Sequence, residues 1–247
     1  MIDRFAFTAM TGAKHAMGQL ATTTHNMANL QTPGFREMLS MFRAVPVDGA
    51  SADSRAFVVD STPGADWTPG SVSPTGNPLD VAIKDQGLFV VRRGDGQEAY
   101  TRSGKFHLDA QGFLVTTAGL NVLDDQGSEI QIPEGSKDIQ ILANGTVRVT
   151  LPGQMVDTTV ARLKLVNPMP HTLERLPDGL FGSTEELEAS DDVNVLQGSI
   201  EGSNVNAAQA MVQMIAQNRL FDLNIRLIQA AEQNSKTAGT LMSLSRV

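Results

Sequence analysis

The stretch HNMANLQTPGF (residues 25–35) lies where an apolar helical pattern ends and the chain must turn. A helix that ends near Ala28 leaves its last carbonyl groups without partners inside the helix. Asn29 is one of the few residues other than glycine that accept the left-handed conformation often used to close a helix. We therefore expect the helix to stop here, with Asn29 in the left-handed region.

The second half of this stretch has the chemistry of a tight turn. Pro33 fixes φ, and Gly34 can adopt the positive φ that the next position of a type II turn requires. Such a turn delivers Phe35 to one defined place. Asn26 and Asn29 lie one helical turn apart, so both amides could hydrogen-bond across the helix end to a neighbouring chain. An ordinary helix stop is the alternative interpretation of the same residues.

The residues before this turn carry a helical repeat of apolar and small side chains. Their spacing alternates between four and three, as in a helix–helix seam. The positions are Ala6, Met10, Ala13, Met17, Leu20, Thr24 and Met27. A stripe this narrow, which includes alanine and threonine, is marginal for an isolated helix in water. We therefore expect this helix to pack against a partner.

The C-terminal stretch supplies a matching pattern. It begins after Asn206, a good N-cap residue with Gln209 three positions further on. The same spacing then recurs at Met211, Met214, Asn218, Phe221, Ile225, Ile228, Glu232 and Ser235, and no proline interrupts it. This pattern predicts a long helix over residues 207–245 that packs with the N-terminal helix as a coiled-coil-like layer.

Between the two helices the pattern changes to short strands punctuated by turn residues. LFVV and AYT flank Asp95-Gly96, and IQIL and TVRV flank Asn144-Gly145. These dipeptides are the ones preferred in two-residue hairpin turns. They predict a mainly antiparallel β-domain over residues 80–170, inserted between the helices, and therefore an α+β fold.

Two stretches rich in turn residues or acidic residues separate these parts. Residues 46–79 contain five prolines among several glycines, which is typical of an extended connector. The predicted order is an N-terminal helix and turn (1–45), the Pro/Gly-rich connector (46–79), the β-domain (80–170), an acidic connector (171–200) and the C-terminal helix (201–247).

The composition argues against several classes of function. The chain has 247 residues, 41% of them hydrophobic, so it can bury a core. Its net charge of -8 argues against nucleic-acid binding. The apolar runs are too short to span a bilayer, so we expect no direct membrane insertion. Without cysteine the chain can form neither a disulfide framework nor a thiolate zinc site.

The sequence also lacks the usual signals of catalysis. Its four histidines are too scattered for a close pair of metal ligands. It contains neither a Gly-x-Ser-x-Gly elbow nor a complete phosphate-binding loop. The acidic cluster in residues 185–192 lacks the spacing of a calcium loop, so a solvated connector is the simpler interpretation. We expect no enzymatic activity, no cofactor and no metal.

Three groups of motifs stand out in this sequence. The first is NMANLQTPGF (26–35), and the second is EGSNV (201–205), which opens the C-terminal helix. The third lies in the β-domain and comprises PLDVAI (78–83), GLF (87–89), YTRSG (100–104) and GFLV (112–115). Together they closely resemble the motifs of the bacterial flagellar rod and hook family, and the resemblance covers nearly the whole chain.

This resemblance implies a structural subunit of the flagellar basal-body rod, a tube across the periplasm that assembles through the terminal helices. RAVPVDG (43–49) and STPGADWTPG (61–70) are similar to the proximal-rod members. The implied partners are copies of the chain itself, other rod subunits and the flagellar type III export apparatus. Export by that route fits the missing cleavable signal peptide.

Two alternatives to this function stay open at this point. The nearer one is a distal-rod or hook subunit of the same family. The other, from a different class, is a β-domain that binds a ligand or surface and uses its helices only to trimerise.

The candidate assembly residues combine the two helical seams with the two terminal motifs. They are Met10, Met17, Leu20, Asn26, Asn29, Pro33, Gly34, Phe35, Ser203, Asn204, Val205, Met211, Met214, Phe221, Ile225 and Ile228.

Overall fold

The computed structural model describes residues 2–46, 56–153, 156–169 and 172–244. The chain divides into two units. The helical unit comprises Met1–Ala28, Met38–Pro63 and Asn206–Val247, and the β unit comprises Asn29–Glu37 and Gly64–Val205. Three residues of the RAVPVDG motif (47–49) and Ser245, the predicted end of the second helix, lie outside the described residues.

Two long helices dominate the helical unit, as the spacing of apolar residues predicts. They are α1 (Ile2–Ala28) and α2 (Ala207–Leu244). Asn206 caps α2, because its Oδ1 accepts hydrogen bonds from the amides of Ala208 and Gln209 at 3.0 and 3.2 Å. These two bonds satisfy two of the backbone amides that lack partners at the start of a helix.

The two helices contact each other in an antiparallel arrangement. Gln217 Nε2 donates a hydrogen bond to Thr23 Oγ1 at 3.0 Å. Gly12 lies directly under Asn224, since a Cβ on Gly12 would come 2.7 Å from Asn224 Oδ1. Moving forward along α1 from Gly12 to Thr23 therefore means moving backward along α2.

A two-stranded sheet completes the described part of the helical unit. It pairs β1 (Met38–Pro46) with β2 (Ala56–Ala65). β1 begins inside the stretch that the sequence assigned to the first helix and its turn. Its residues, MLSMFRAVP, show no clear alternation of apolar and polar side chains, so the strand has no local signal.

The β unit is built from short strands. They are β3 (Val72–Pro74), β4 (Val81–Ile83), β5 (Leu88–Arg92), β6 (Glu98–Thr101), β7 (Phe106–Leu108), β8 (Leu114–Thr116), β9 (Asn121–Val122), β10 (Lys137–Ile141), β11 (Thr146–Thr150), β12 (Asp157–Arg162), β13 (Leu165–Val166), β14 (Leu173–Arg175), β15 (Phe181–Ser183), β16 (Val195–Gln197) and β17 (Ser199–Glu201). Between the described residues of this unit, the strand pairings are antiparallel. The predicted α+β class with mostly antiparallel sheets is confirmed.

The largest sheet has the order β14-β15-β6-β5-β9-β8-β7, with β13 also paired to β5. A second sheet has the order β10-β11-β12, and β16-β4 and β17-β3 form two short ladders. Both predicted hairpins are present as β5–β6 and β10–β11, but the predicted two-residue turns are wrong. Each loop has three residues, because the amide of Arg93 donates to the carbonyl of Gln97 and that of Leu142 to the carbonyl of Thr146. Their turn glycines, Gly96 and Gly145, have φ of 83° and 81°, a conformation that glycine adopts at little cost.

The acidic stretch predicted as a connector carries three of these strands, β14, β15 and β16, and the first two residues of β17. β15 and β16 pair with strands that are distant in sequence, and β14 pairs with β15. Phe181 in β15 lies opposite Tyr100 in β6, and Val195 in β16 lies opposite Ile83 in β4. These pairings depend on contacts far apart in sequence, so the local acidic composition does not reveal them.

β5 lies at the centre of the packing because both of its faces are buried. Phe89 and Val91 belong to a large core cluster, in which Phe106 packs edge-to-face on Phe89 with ring centroids 5.1 Å apart. Leu88 and Val90 belong to a second cluster on the other face, with Tyr100, Leu123, Val166 and Phe181. An uninterrupted apolar run such as LFVV is typical of a strand covered on both sides.

Candidate functional site

The PGF turn in the β unit has the geometry that its sequence predicts. The amide of Phe35 donates to the carbonyl of Thr32 at 3.2 Å, and Gly34 has φ of 69°. This is a type II turn with Pro33 and Gly34 at its centre. A Cβ on Gly34 would also come 2.4 Å from the backbone of Arg102 and Ser103. Glycine is therefore required at position 34 for two reasons, its positive φ and its close approach to the backbone of Arg102 and Ser103.

The helix end before this turn is closed differently from the prediction. Among the described residues other than glycine, only Asp138 has a positive φ, so the left-handed conformation predicted for Asn29 is wrong. Thr32 closes the turn instead. Its amide donates to the Asn29 carbonyl at 3.2 Å, and its hydroxyl donates to Asn29 Oδ1 at 3.0 Å.

Glu201 is the centre of a buried cluster in the β unit. Its Oε1 accepts hydrogen bonds from Arg36 Nη1 at 3.0 Å and from the Gly70 amide at 2.9 Å. Its Oε2 accepts a hydrogen bond from Arg102 Nε. Its backbone carbonyl accepts a bond from the Gly34 amide at 2.9 Å. One residue thus holds three segments that are remote in sequence.

Arg102 fixes this cluster to the β unit. Besides its bond to Glu201, it donates to the carbonyls of Gly87 at 2.7 Å and Ile83 at 3.1 Å, and to that of Asp85. A guanidinium carries its donors in a rigid fork, so several acceptors hold it in one orientation. The Glu201 carboxylate therefore docks against a preformed cation.

The charges of the cluster depend on one another. Burial lowers the pKa of Arg36, the Glu201 carboxylate opposes this by stabilising the cation, and the nearby Arg102 lowers the pKa further. Two buried guanidinium groups are therefore held close together by a single shared carboxylate. Removal of one partner from such a group leaves an uncompensated buried charge, which typically costs about 3–5 kcal/mol.

Asn204 fastens the same chain segments a few residues further on. Its Oδ1 accepts from the Glu37 amide at 2.7 Å, and its Nδ2 donates to the carbonyls of Asp66 and Thr68 at 2.9 and 3.0 Å. Its own amide donates to the Phe35 carbonyl at 3.3 Å. The preceding Ser203 hydroxyl accepts from the amide of Val205 at 3.3 Å. We call the meeting of residues 32–37, 66–71, 101–103 and 199–205 the junction.

An aromatic stack closes the other side of the junction. The Arg175 guanidinium lies 4.6 Å from the ring centroid of Phe35 and 5.6 Å from that of Phe181. Trp67 packs on Phe181 at 4.8 Å between centroids. Arg175 also donates to the Arg36 carbonyl at 2.8 Å, and burial lowers its pKa. Phe35 is thus delivered to one defined place, as the turn predicts.

Asn26 in the helical unit makes its contacts within the chain. Its Nδ2 donates to the Met38 carbonyl and its Oδ1 accepts from the Met38 amide, both at 2.9 Å. The side chain therefore acts as a strand partner for the first residue of β1. The Asn26 amide is therefore engaged within the chain, and a bond from it to a neighbouring chain stays a prediction.

The face of α1 that is buried within the single chain differs from the predicted seam. Its buried residues are Ala9, Ala13, Ala16, Thr23 and Asn26, and Leu20 is half-buried. Met10 and Met17, which were predicted on the seam, are 57% and 53% exposed. Small side chains allow a close approach of helices, and so they decide the contact face here in place of the larger methionines.

The face of α2 follows the predicted spacing more closely. Positions Met214, Phe221 and Ile228 are half-buried as predicted, and so is Ile225. The remaining contact positions lie one residue before the predicted ones, at Ala210, Gln217, Asn224 and Ala231. Met211 is 51% exposed.

The functional residues that the candidate set lacks are charged. Arg36, Arg102 and Glu201 were not among the predicted assembly residues, although the last two lie inside the quoted YTRSG and EGSNV motifs. A signal did exist, since Arg102 directly follows a strand in which Ala99, Tyr100 and Thr101 are buried. A charge at that position needs a buried partner.

The described residues show no sign of a metal site or a membrane span. Within the described ranges, no three His, Cys, Asp or Glu side chains are placed to share a metal ion. Neither helix, over its described residues, has an apolar stretch suited to crossing a bilayer.

Comparison with known proteins identifies the family. The sequence profile described as "Flagellar hook protein FlgE/F/G D1 domain" matches residues 82–149, and the profile "Flagellar basal body rod FlgEFG protein C-terminal" matches residues 196–241. The flagellar basal-body rod protein FlgF of Salmonella typhimurium is 41% identical over 254 aligned residues, which cover 99% of this chain and 100% of the relative. The chain belongs to the flagellar basal-body rod protein family.

Other members of the rod family give the same result. FlgF of Escherichia coli is also 41% identical over 99% of this chain, and FlgG of Buchnera aphidicola is 30% identical over 90% of this chain and 94% of its own length. This rod family member is therefore a structural subunit of the flagellar basal-body rod, and it is most like FlgF. A helix-trimerised binding module is not favoured.

Proposed function

We propose that the two terminal helices are the parts through which this subunit assembles, with copies of itself and with other rod subunits, into the tubular rod. Its proposed place is the proximal rod in the periplasm, and the similarity to FlgF supports this proposal. It reaches that place through the flagellar type III export apparatus. It acts mechanically, with no enzymatic role.

The observation that carries this proposal is the outer face of α2. One face of this helix contacts α1, yet large apolar side chains also lie on its exposed surface. Val212 is 66% exposed, Leu223 is 56% exposed, and Ile215, Leu220 and Leu227 belong to the same set. A helix with apolar residues on opposite faces is typical of a helix with neighbours on both sides. Several large apolar side chains exposed along one helix are typical of an interaction site.

α1 contributes a second exposed apolar stripe. Phe7, Met10 and Met17 lie on it, away from the buried alanines that face α2. Met suits contacts that must adapt to slightly different neighbours, because its side chain is unbranched and flexible. Met10, Met17 and Met211 are therefore proposed as direct contacts between subunits.

The remaining candidate residues are proposed to act in two ways. Leu20, Met214, Phe221, Ile225 and Ile228 are half-buried and support a coiled-coil-like packing of the helices. Asn26, Gly34, Phe35, Ser203 and Asn204 make contacts within the chain, so they support assembly by holding the segments next to the helices. Asn29, Pro33 and Val205 belong to the same flanking turns.

The two exposed stripes differ from each other, which favours an open assembly. A contact between unlike surfaces on successive copies does not close on itself unless the rotation happens to form a ring, so it generates a helical filament. A tubular rod needs this kind of contact.

The proposal can be tested with substitutions on the outer face of α2. The double variant Ile215→Lys/Leu223→Lys places two charges on that face, and Gln229→Lys, at an exposed polar position of the same helix, is the matched control. In cells that lack the native copy, we expect the double variant to fall at least about tenfold in purified basal bodies, since 1.4 kcal/mol of lost contact energy is a factor of ten.

The control should be incorporated normally and should restore swimming. Circular dichroism of the purified proteins should show equal helix content in the two variants. Normal incorporation of the double variant would contradict assembly through this face.

A further inference from the structure

We propose that Glu201 is the positioning residue of the junction: its carboxylate holds residues 32–37 and Gly70 on the β unit, so these segments dock only when the chain segment before α2 is in place. This role belongs to the β unit alone and does not depend on how the helices assemble. It is not a consequence of any assembly contact proposed above.

The contacts of Arg102 and Arg36 indicate which of the two arginines stays in place when Glu201 is removed. Arg102 is fixed by three backbone carbonyls of the β4–β5 region in addition to Glu201. Arg36, by contrast, has its Nη1 contacts with Glu201 and with the carbonyl of Thr68, both of which lie in segments that meet at the junction. Arg102 is therefore the fixed anchor, and Arg36 is the mobile partner that Glu201 joins to it.

Three backbone contacts of residues 32–37 come from the segment before α2. The amide of Gly34 donates to the Glu201 carbonyl at 2.9 Å, and the amide of Glu37 donates to Asn204 Oδ1 at 2.7 Å. The Phe35 carbonyl accepts from the amide of Asn204 at 3.3 Å. Each of these partners lies in residues 201–204. The PGF turn can form locally. Its seat on the β unit combines these three contacts with the bonds from Arg175 to the Arg36 carbonyl and from the Asp66 amide to the Glu37 carbonyl.

The charges of the two arginines make the docking of residues 32–37 depend strongly on Glu201. With Glu201 present, the guanidinium groups of Arg36 and Arg102 share one carboxylate in a site where the side chains are 3% and 1% exposed. Without that carboxylate, the two like charges would repel each other in a site with little water to screen them. Arg36 is the one that we expect to leave, because its side chain has one backbone acceptor, the Thr68 carbonyl, whereas Arg102 has three. Its departure would weaken the docking of residues 32–37.

The test compares two paired carboxylates of the β unit in the full chain. Glu201→Gln keeps the shape and removes the charge. Glu98→Gln is the matched control, because Glu98 is partly buried, with a side chain 12% exposed, and is paired with Lys164 Nζ at 2.7 Å, but it is not part of the junction. The measurement is hydrogen exchange at the amides of Gly34, Glu37 and Gly70, with Val90 in β5 as the reference.

We expect Glu201→Gln to speed exchange at the three junction amides by about tenfold or more, as in a local opening, and to leave Val90 unchanged. Glu98→Gln should leave the three amides at the wild-type rate. The proposal is overturned if the junction amides stay protected in Glu201→Gln, or if Glu98→Gln speeds them equally.

Two further variants separate positioning from bulk stability. Arg36→Met breaks only the mobile side of the cluster and should speed the same three amides, so the idea can be tested even if Glu201→Gln folds poorly. In Glu201→Ala, formate can refill the space between the two guanidinium groups. We expect added formate, and not chloride at the same ionic strength, to restore the emission of Trp67, the single tryptophan. Equal effects of both salts, or protected amides in Arg36→Met, would overturn the proposal.

Discussion

The two units of this protein bury their side chains in opposite ways. In the β unit most large apolar residues are inside, and Phe89, Val90 and Val91 have no exposed surface. In the helical unit the buried residues are mostly alanines with Thr23 and Asn26, while large residues such as Met17 and Leu223 are more than half exposed. The β unit therefore has a core of large side chains, and the described part of the helical unit leaves many of its large side chains exposed.

This difference indicates where each unit obtains its stability. Burial of a large apolar side chain contributes about 1.5–3 kcal/mol, whereas an alanine contributes far less. The helix pair is fixed by close approach and by polar contacts such as that between Thr23 and Gln217. We therefore expect the two units to respond differently to the same kind of substitution.

The largest difference should come from removing one large side chain in each unit. Phe89→Ala removes a fully buried ring from the main core and should lower the free energy of unfolding of the β unit by about 3–5 kcal/mol. Met17→Ala, at a position 53% exposed, should change the stability of the isolated chain by less than about 0.5 kcal/mol. Urea unfolding monitored by Trp67 fluorescence and by circular dichroism measures both. Similar losses in the two variants would remove the contrast.

A medium effect is expected at the closest approach of the helices. Gly12→Ala places a methyl group 2.7 Å from Asn224 Oδ1, so the pair must separate or Asn224 must move. Overpacking costs about 1–3 kcal/mol, but the clashing atom ends a flexible side chain and alanine favours a helix by about 1 kcal/mol over glycine. We therefore expect a net loss below about 1 kcal/mol. The double variant Gly12→Ala/Asn224→Ala removes the clash and should recover most of the loss, as measured by thermal unfolding at 222 nm. If the second substitution gave no recovery, this contact would not set the approach of the helices.

The smallest effect concerns the half-buried Glu37 in the junction. Burial raises the pKa of Glu37, and the nearby Asp66 carboxylate raises it further. As the pH rises past the ordinary value of 4.5, the Glu37 carboxyl group of the unfolded chain loses its proton before that of the folded chain. The folded state therefore loses stability between pH 4.5 and the raised pKa, and the loss persists at pH 7.

Glu37→Gln should therefore stabilise the chain at pH 7 by about 0.3 kcal/mol, after allowance for solvent screening, and should give no gain below pH 4.5. Glu134→Gln, at an exposed carboxylate, serves as the control. A gain that is independent of pH would contradict the electrostatic cause.

Much of the fold could be predicted because its signals are local. A four–three spacing identifies both helices, and Asp-Gly and Asn-Gly dipeptides identify the β5–β6 and β10–β11 turns. Pro33 and Gly34 specify the turn that delivers Phe35. The prediction was wrong for Asn29, because a threonine three residues away offered a better closure than a left-handed asparagine.

The candidate site was predicted less completely, because its centre depends on long-range contacts. Arg102 and Glu201 are 99 positions apart, and Arg36 is remote from both. The sequence around each of them does not distinguish it from an ordinary charged surface residue. The residues Gly34, Phe35 and Asn204 were found from their motifs, yet their roles as intramolecular contacts came only from the packing around them.

The sequence by itself determined the elements, the turns and the family of this protein, because periodicity, turn chemistry and motifs are written in neighbouring residues. The tertiary structure alone decided which face of each helix meets the other, where the acidic stretch adds strands, and that one carboxylate joins two buried arginines. These choices depend on which surfaces fit together at close range and on the removal of water from charges. Neither can be read from the order of residues before distant segments meet.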